Sequence, residues 1–327
     1  MNDKAYLVLE NGKIFEGCRL GADGDVIGEI VFTTGMTGYL ETLTDKSYYG
    51  QIIMQTYPLI GNYGVIPEDF ESSTVSAKGY IVKSICEEPS NFRSKGSLDA
   101  FLKERNIVGI CDIDTRELTI ILRDKGTMNG LITTNPENAD LEKIRSYRVA
   151  KPVENVSVKE KTVINDEGLY NIAMLDFGYK ANIVRELVKR NCRVVLMPHD
   201  TPAEEITGYN PDGIMLSNGP GDPADNVEVI GNLKKLIKSG IPVFGICLGH
   251  QLMALANGFV TKKLKYGHRG ANQPVKDLDM DRVYITSQNH GYYVTGESID
   301  ESVAKPWFIN MNDGTCEGIR YLNGPYF

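Results

Sequence analysis

The chain has 327 residues, of which 42% are hydrophobic and 24% charged, so it can bury a full core and disorder is excluded as its main state. At about 150 residues per domain, this length predicts roughly two domains. With 35 Lys and Arg against 43 Asp and Glu, the net charge of −8 argues against a protein held on nucleic acid by phosphate contacts.

The first 150 residues predict a mixed α+β domain. Short apolar runs indicate strands at residues 5–10, 13–16, 30–33, 51–55 and 79–84. Asn11 and Gly12 separate the first two runs and are typical of a hairpin turn. A helix is predicted over residues 97–105, and Asp114 is expected to cap a second helix because Glu117 follows three residues later.

Residues 151–169 are polar and lack periodicity, so their composition predicts a linker. After it, strands are predicted at 171–177, 193–197, 213–217 and 241–246, and helices at 181–190, 227–238 and 249–256. This alternation predicts an α/β domain over residues 170–327, with a mostly parallel sheet and helices on both faces. Beyond Gly258 the pattern is strand-rich, with turns predicted at 312–314 and 323–324.

Residues 245–251 (GICLGHQ) follow an apolar strand and open a helix, the setting of a G-x-nucleophile-x-G elbow with Cys247 as nucleophile. The sharp turn strains the backbone of the nucleophile, so its neighbours must be glycine. The sulfur would project from the carboxyl edge of the sheet, where such sheets bind ligands, and the helix N-terminus would favour thiolate. Taken alone, the pattern is also compatible with a buried cysteine in a glycine-rich turn.

Two further segments are predicted to lie near this elbow. Residues 217–223 (SNGPGDP) follow the preceding strand at the same sheet edge, where the Gly219 N–H could join the Leu248 N–H in an oxyanion hole. Residues 287–293 (SQNHGYY) are expected to form a loop after a strand at 283–286, and their amide groups suit the two ends of a free amino acid. Either segment alone could be an ordinary turn.

Together these three motifs resemble the triad-type (class I) glutamine amidotransferases. In the first half, residues 34–41 (TGMTGYLE), 43–48 (LTDKSY) and 56–64 (TYPLIGNYG) resemble the small, glutaminase subunit of carbamoyl-phosphate synthetase. The resemblance covers essentially the whole chain. It implies that glutamine is hydrolysed to glutamate and ammonia through a thioester on Cys247.

The resemblance also implies the residues of the glutamine pocket. Ser47 would reach over from the N-terminal domain, and the family more often has Phe where Tyr292 stands. The implied substrate-binding residues are Ser47, Gly219, Gly221, Leu248, Gln251, Asn289, Gly291 and Tyr292.

The implied partner is the carbamoyl-phosphate synthetase large subunit, which uses bicarbonate and ATP with Mg for arginine and pyrimidine synthesis. No cofactor is expected in this chain, because it contains no G-x-x-x-x-G-K-[ST] loop. The four His and six Cys show no metal-ligand spacing, so no metal site is expected. The cysteines are expected to be reduced thiols, which predicts a cytoplasmic protein. No signal peptide or run of about 18 apolar residues is present, and no membrane partner is expected.

One part of the family pattern is missing from the sequence. The family takes its base and orienting partner from a His-x-Glu segment that would follow residue 327, and none of the four histidines present matches that base. His250, for example, is expected to point away from the sulfur. We therefore expect the sequence to be C-terminally truncated and its turnover impaired. The alternatives are a non-catalytic glutamine-binding or assembly subunit and an amidotransferase of another synthetase.

Overall fold

The computed structural model describes residues 4–327, which divide into two compact units, residues 4–150 and Lys151–Phe327. The strands of the first unit are β1 (Lys4–Leu9), β2 (Ile14–Gly21), β3 (Val26–Thr33), β4 (Gln51–Gln55), β5 (Leu59–Ile60), β6 (Gly79–Ile81), β7 (Ser84–Ile85), β8 (Val108–Cys111) and β9 (Met128–Thr133). Its helices are α1 (Tyr39–Thr44), α2 (Leu98–Glu104), α3 (Thr115–Lys125) and α4 (Leu141–Ser146).

The first unit is built on a closed barrel with strand order β1-β2-β8-β6-β4-β3-β9. The predicted hairpin is confirmed: β1 and β2 pair antiparallel with Val8 opposite Ile14, and Gly12 has a φ of 87° in the turn between them. Glycine adopts this left-handed conformation without the steric cost that a Cβ would add. Apolar side chains inside the barrel, including Leu7 and Ile52, are fully buried and form one of the unit's cores.

The second predicted helix of this unit begins where the sequence indicates. The Asp114 carboxylate accepts a hydrogen bond from the Glu117 N–H at 2.9 Å, and Leu118 and Leu122 are buried on the inner face of α3. Replacing Asp114 with Ala is expected to lower the free energy of unfolding by about 1 kcal/mol, because the first turn loses its side-chain acceptor. Urea denaturation measures this. Asp114→Asn, which keeps an acceptor oxygen, should cost clearly less, and equal losses would rule out the capping explanation.

The second unit begins with a five-stranded sheet. Its strands are β10 (Thr162–Ile164), β11 (Tyr170–Asp176), β12 (Cys192–Pro198), β13 (Gly213–Leu216) and β14 (Val243–Gly245). Its helices are α5 (Pro152–Val156), α6 (Ala181–Lys189), α7 (Ala203–Gly208), α8 (Val227–Leu236) and α9 (Leu248–Ala256). The strand order is β10-β12-β11-β13-β14, and all pairs are parallel except β10 with β12.

Alternate residues of the central strand β11 face opposite sides of the sheet. Ala173 and Leu175 pack in the core shared with α7, α8 and α9, whereas Met174 packs with Val184 of α6. The predicted α/β layering, with helices on both faces of a mostly parallel sheet, is therefore confirmed. The carboxyl ends of β11, β13 and β14 consequently meet at one edge.

The segment predicted as a linker, residues 151–169, belongs to the folded second unit. It contains α5, in which Val153 and Val156 are buried, and β10, which pairs with β12 at the edge of the sheet. The prediction is wrong here because a helix of five residues leaves no measurable periodicity. The strand is equally hidden, since Thr162 and Val163 are exposed and give no apolar run.

The strand-rich end of the chain forms a second closed barrel of antiparallel strands, in the order β15-β16-β18-β17. The strands are β15 (Thr261–Asp277), β16 (Arg282–Val294), β17 (Ala304–Asn310) and β18 (Cys316–Tyr321). Among residues 4–327, no helix is long and apolar enough to cross a membrane.

The prediction of a loop at residues 287–293 is wrong, because the whole segment lies inside β16. Asn289 pairs with Arg269 of β15, and His290 pairs with His268. The sequence misses this strand because buried positions of its partner strand β15 are themselves polar: His268 and Arg269 are buried. Polar side chains on both faces remove the alternation on which strand prediction depends.

Candidate active site

Cys247 lies at the turn between β14 and α9, with φ 52° and ψ −107°. A non-glycine residue in this region is strained, and such strain is concentrated at functional sites. Steric crowding explains why both flanking positions are glycine. A Cβ on Gly245 would lie 2.6 Å from the backbone nitrogen of His250, and one on Gly249 would lie 2.4 Å from the Leu216 carbonyl oxygen. The turn therefore packs against the end of β13 with no room for larger residues.

The loop after β13 is fixed to the end of β11 by its own side chains. The Ser217 hydroxyl accepts from the Phe177 N–H at 2.9 Å, and the Asn218 amide donates to the Gly178 carbonyl at 3.0 Å. A Cβ on Gly219 would lie 2.3 Å from the Phe177 oxygen and 2.8 Å from Cδ2 of Leu248. The structure thus places Gly219 beside Leu248, as an oxyanion hole from these two residues requires.

Gly221 lies in the same loop with a φ of 91°, and a Cβ there would be 2.3 Å from Cγ of Pro152. The N-terminal turn of α5 therefore packs on the loop that approaches the elbow. This contact gives the segment predicted as a linker a role in shaping the site.

β16 passes over the elbow and holds it through two hydrogen bonds. Sγ of Cys247 donates to the Asn289 carbonyl at 3.6 Å, and Nε2 of Gln251 donates to the Tyr292 carbonyl at 2.6 Å. A Cβ on Gly291, between these two residues, would lie 3.3 Å from the Arg269 guanidinium. The site residues predicted in the second unit are thus brought together around Cys247. Ser47 lies in the first unit, where its N–H donates to Asp45 at 2.9 Å.

A cavity of about 270 Å³ opens beside the cysteine. Its lining includes Cys247, His250, Gln251, His290, Tyr292 and Glu317. His250, whose side chain was expected to point away from the sulfur, lines the same cavity as Cys247. Glu317 was missed by the sequence analysis. It sits on β18, far along the chain, and no motif surrounds it.

Glu317 is the centre of a buried ionic cluster. Its two carboxylate oxygens lie 3.0 Å from Nδ1 of His268 and 3.1 Å from Nε2 of His290. Burial acts to raise the pKa of Glu317, but the hydrogen bonds with the two histidines outweigh it and hold this pKa well below its usual range. Burial likewise acts to lower the pKa of His268, and the hydrogen bonds to Glu317 and Asp313 outweigh it and raise that pKa.

His250 behaves in the opposite way, because burial lowers its pKa to about 4, and the nearby Glu317 offsets only part of this effect. The unfolded chain binds a proton on this histidine near its ordinary pKa, whereas the folded chain does not until the pH is lower. Stability from this group is therefore lost as the pH falls from about 6.5 towards 4.

We expect wild-type protein to lose on the order of 2 kcal/mol more unfolding free energy between pH 7 and pH 5 than the His250→Gln variant does. Urea denaturation at both pH values gives the difference. If His250→Gln shows the wild-type pH dependence, the inference that His250 is buried in its neutral form is wrong.

Two family profiles match the chain in sequence order. Residues 7–132 match the carbamoyl-phosphate synthase small chain, CPSase domain, and residues 173–327 match glutamine amidotransferase class-I. Among solved structures, a glutamine amidotransferase from Thermotoga maritima matches 48% of this chain and 73% of that chain, with 15% identity and a TM-score of 0.39.

Two relatives match nearly the full chain. The carbamoyl phosphate synthase small chain of Clostridium perfringens is 49% identical over 326 residues, covering 99% of this chain and 92% of that protein. The carbamoyl phosphate synthase small chain of Bacillus cereus is 51% identical over 328 residues, covering 99% and 89% respectively. The chain belongs to the carbamoyl phosphate synthase small chain family. In this family member, the amidotransferase match spans the parallel sheet, the elbow and the second barrel.

Proposed function

We propose that the chain is the glutaminase subunit of a glutamine-hydrolysing carbamoyl-phosphate synthase, with Cys247 as its nucleophile. The observation that carries the residue assignment is the strained Cys247 turn at the meeting point of three strand ends, with Gly219 and Leu248 beside it. In an elbow of this kind the sulfur projects into the cavity, and the Leu248 N–H at the start of α9 would meet the substrate oxygen.

The reaction begins when the Cys247 thiolate attacks the side-chain amide carbon of L-glutamine. The carbonyl oxygen gains a negative charge, which the backbone N–H groups of Leu248 and Gly219 stabilise. Collapse of the tetrahedral adduct leaves a thioester on the sulfur and expels the nitrogen as ammonia, which takes up the proton that the base removed from the thiol. Water then adds to the thioester, and glutamate leaves while the thiol is restored.

The remaining site residues hold the amino-acid end of glutamine. Gln251, Asn289, Gly291 and Tyr292 lie on α9 and β16, which are tied together by the hydrogen bond between Gln251 and Tyr292. Gly221 shapes the facing loop. Ser47 is proposed as a further glutamine-binding residue on the strength of the family resemblance. Fixed polar groups of this kind orient a small ligand without large rearrangement on binding.

The base for the thiol proton is proposed to come from the His-x-Glu segment that the family resemblance implies, which the 327 residues do not contain. The cavity histidines are poorly suited to the role. His290 is engaged by Glu317 and by the Tyr292 carbonyl, and burial keeps His250 from accepting a proton.

The released ammonia is proposed to pass to a large synthetase subunit in a cytoplasmic heterodimer. That subunit would bind ATP and Mg and make carbamoyl phosphate from bicarbonate for arginine and pyrimidine synthesis. The match of residues 7–132 to the CPSase domain supports this partner over those of other amidotransferases. The chain's own contribution needs no cofactor.

The test combines the chain with a large subunit from the same source. Carbamoyl phosphate formation should depend on this chain when glutamine is the nitrogen donor and be independent of it when ammonium is supplied. A chain that forms the complex but never raises glutamine-dependent synthesis, even when extended by the His-x-Glu segment, would support the second candidate, a non-catalytic glutamine-binding or assembly subunit. Failure to bind any large ATP-dependent partner would contradict both.

A further inference from the structure

Three strands of the second barrel each place one potential metal ligand at the same buried point. His268 comes from β15, His290 lies directly opposite it on β16, and Glu317 comes from β18. The two imidazole rings are 4.9 Å apart in an edge-to-face arrangement. One ligand atom from each of the three residues lies within 4.8 Å of the other two.

The outer hydrogen bonds of the two histidines fix which nitrogen each ring turns inward. Nε2 of His268 lies 2.8 Å from the Asp313 carboxylate, so it carries a hydrogen. Nδ1 of His290 lies 2.8 Å from the Tyr292 carbonyl oxygen, so it also carries a hydrogen. In the neutral rings, the lone pairs therefore lie on Nδ1 of His268 and Nε2 of His290.

Both lone pairs point at the same carboxylate. Nδ1 of His268 is 3.0 Å from Glu317 and Nε2 of His290 is 3.1 Å from it. Two lone pairs facing an anion repel it. A positive charge between the rings and the carboxylate removes this repulsion, and either a proton on a ring nitrogen or a metal ion supplies it. Two neutral imidazoles and one carboxylate are also a ligand set that zinc accepts in proteins.

We propose that His268, His290 and Glu317 form a binding site for one divalent transition-metal ion of the zinc class. Tetrahedral zinc with bonds of about 2.0–2.1 Å sets its ligand atoms about 3.4 Å apart. The nitrogen–oxygen separations of 3.0 and 3.1 Å, each to a different oxygen of Glu317, are a few tenths of an ångström shorter than that spacing, and one ligand atom from each residue lies within 4.8 Å of the others. Asp313 and the Tyr292 carbonyl supply the outer hydrogen bonds that orient metal-binding histidines.

The surroundings of the cluster favour an ion with one open position. His290 and Glu317 both line the cavity beside Cys247, so the fourth position faces that space. His250 lines the same cavity, and its buried Nε2 has no hydrogen-bond partner among residues 4–327. The ion would cross-link three strands and hold β16, which carries Asn289 and Tyr292, in register over the elbow. Sequence spacing cannot reveal this site, because the ligands come from three separate strands.

The test uses the untagged full chain, stripped with a chelator and titrated with Zn²⁺ by calorimetry and thermal denaturation. One Zn²⁺ per chain and a rise in Tm are expected, because a ligand that binds only the folded state stabilises it. Glu317→Gln and His268→Gln should each weaken binding at least tenfold and remove most of the rise in Tm. His199→Gln, the matched control outside the cluster, should bind Zn²⁺ as wild type does.

Co²⁺ in place of Zn²⁺ distinguishes this cluster from the nearby thiol. The expected absorption is that of tetrahedral nitrogen and oxygen ligation, unchanged in Cys247→Ala and without a sulfur-to-cobalt charge-transfer band. Absence of stoichiometric Zn²⁺ binding by the wild-type chain would overturn the proposal. So would binding that survives both Glu317→Gln and His268→Gln, or binding that disappears in Cys247→Ala.

Discussion

Replacing Cys247 with Ala is expected to abolish glutamine-dependent activity, with a loss of at least about 10³-fold in glutamate release. The sulfur is the atom that forms the thioester. Cys316 also lines the cavity, but burial raises the pKa of its thiol to about 11 and so disfavours the nucleophilic thiolate. The measurement is the rate of glutamate formation from L-glutamine, by the chain extended with the His-x-Glu segment and combined with its large subunit. Ammonium-dependent carbamoyl phosphate synthesis by the same complex should be unchanged.

The matched control is Cys192→Ala, which removes another cysteine from the same unit. Cys192 is buried at the start of β12, whereas the elbow follows the end of β14 in a parallel sheet. It therefore lies at the opposite edge from the active site. Its replacement should leave glutamate release within about a factor of two, because buried structural cysteines act as small apolar side chains. Equal activity of wild type and Cys247→Ala would exclude Cys247 as the nucleophile.

Gly249→Ala is the second substitution with a large expected effect, because its methyl group would meet backbone rather than a flexible side chain. The new Cβ would lie 2.4 Å from the Leu216 carbonyl oxygen, so either the end of β13 or the start of α9 must move. Overpacking of this kind costs about 1–3 kcal/mol of unfolding free energy. Displacement of the elbow should also lower glutamate release about 100-fold.

Gly231→Ala gives the control for a glycine in a neighbouring helix. A Cβ at Gly231 meets no atom within 4 Å, and the residue lies inside α8. Alanine is the better helix former, so this variant should gain about 0.5–1 kcal/mol. Urea denaturation and glutamate release are measured on both variants. If Gly249→Ala has wild-type stability and activity, the elbow has room for a methyl group and the steric explanation is wrong.

The elements of the parallel sheet could be predicted because each is long enough to show its own period. β11, α6 and β12 carry continuous apolar runs or an amphipathic face, and the elbow motif marks the end of β14. α5 and β10 could not be predicted, because they are short and depend for their stability on Val153 packing into the core and on pairing with β12. Tertiary contacts, which the local sequence does not display, decide their structure.

In the active site, too, the residues that could be predicted follow from local sequence and sheet topology, whereas the missed residues depend on tertiary contacts. Cys247, Gly219 and Leu248 could be placed together because the topology of a parallel sheet brings successive strand ends to one edge. Asn289 and Tyr292 were expected in a loop but lie on β16, because barrel closure converts a polar segment into a strand. The pairing of His268 with His290, and of both with Glu317, depends on that closure, so no local pattern predicts it.

The central claim is that Cys247 is an activated thiol inside a glutamine-binding pocket. The most direct measurement is the intact mass of the protein after incubation with an electrophilic analogue of glutamine, followed by peptide mapping. The account predicts one adduct per chain, located on Cys247 and prevented by excess L-glutamine. An unmodified protein, or adducts spread over the other five cysteines and insensitive to glutamine, would contradict it.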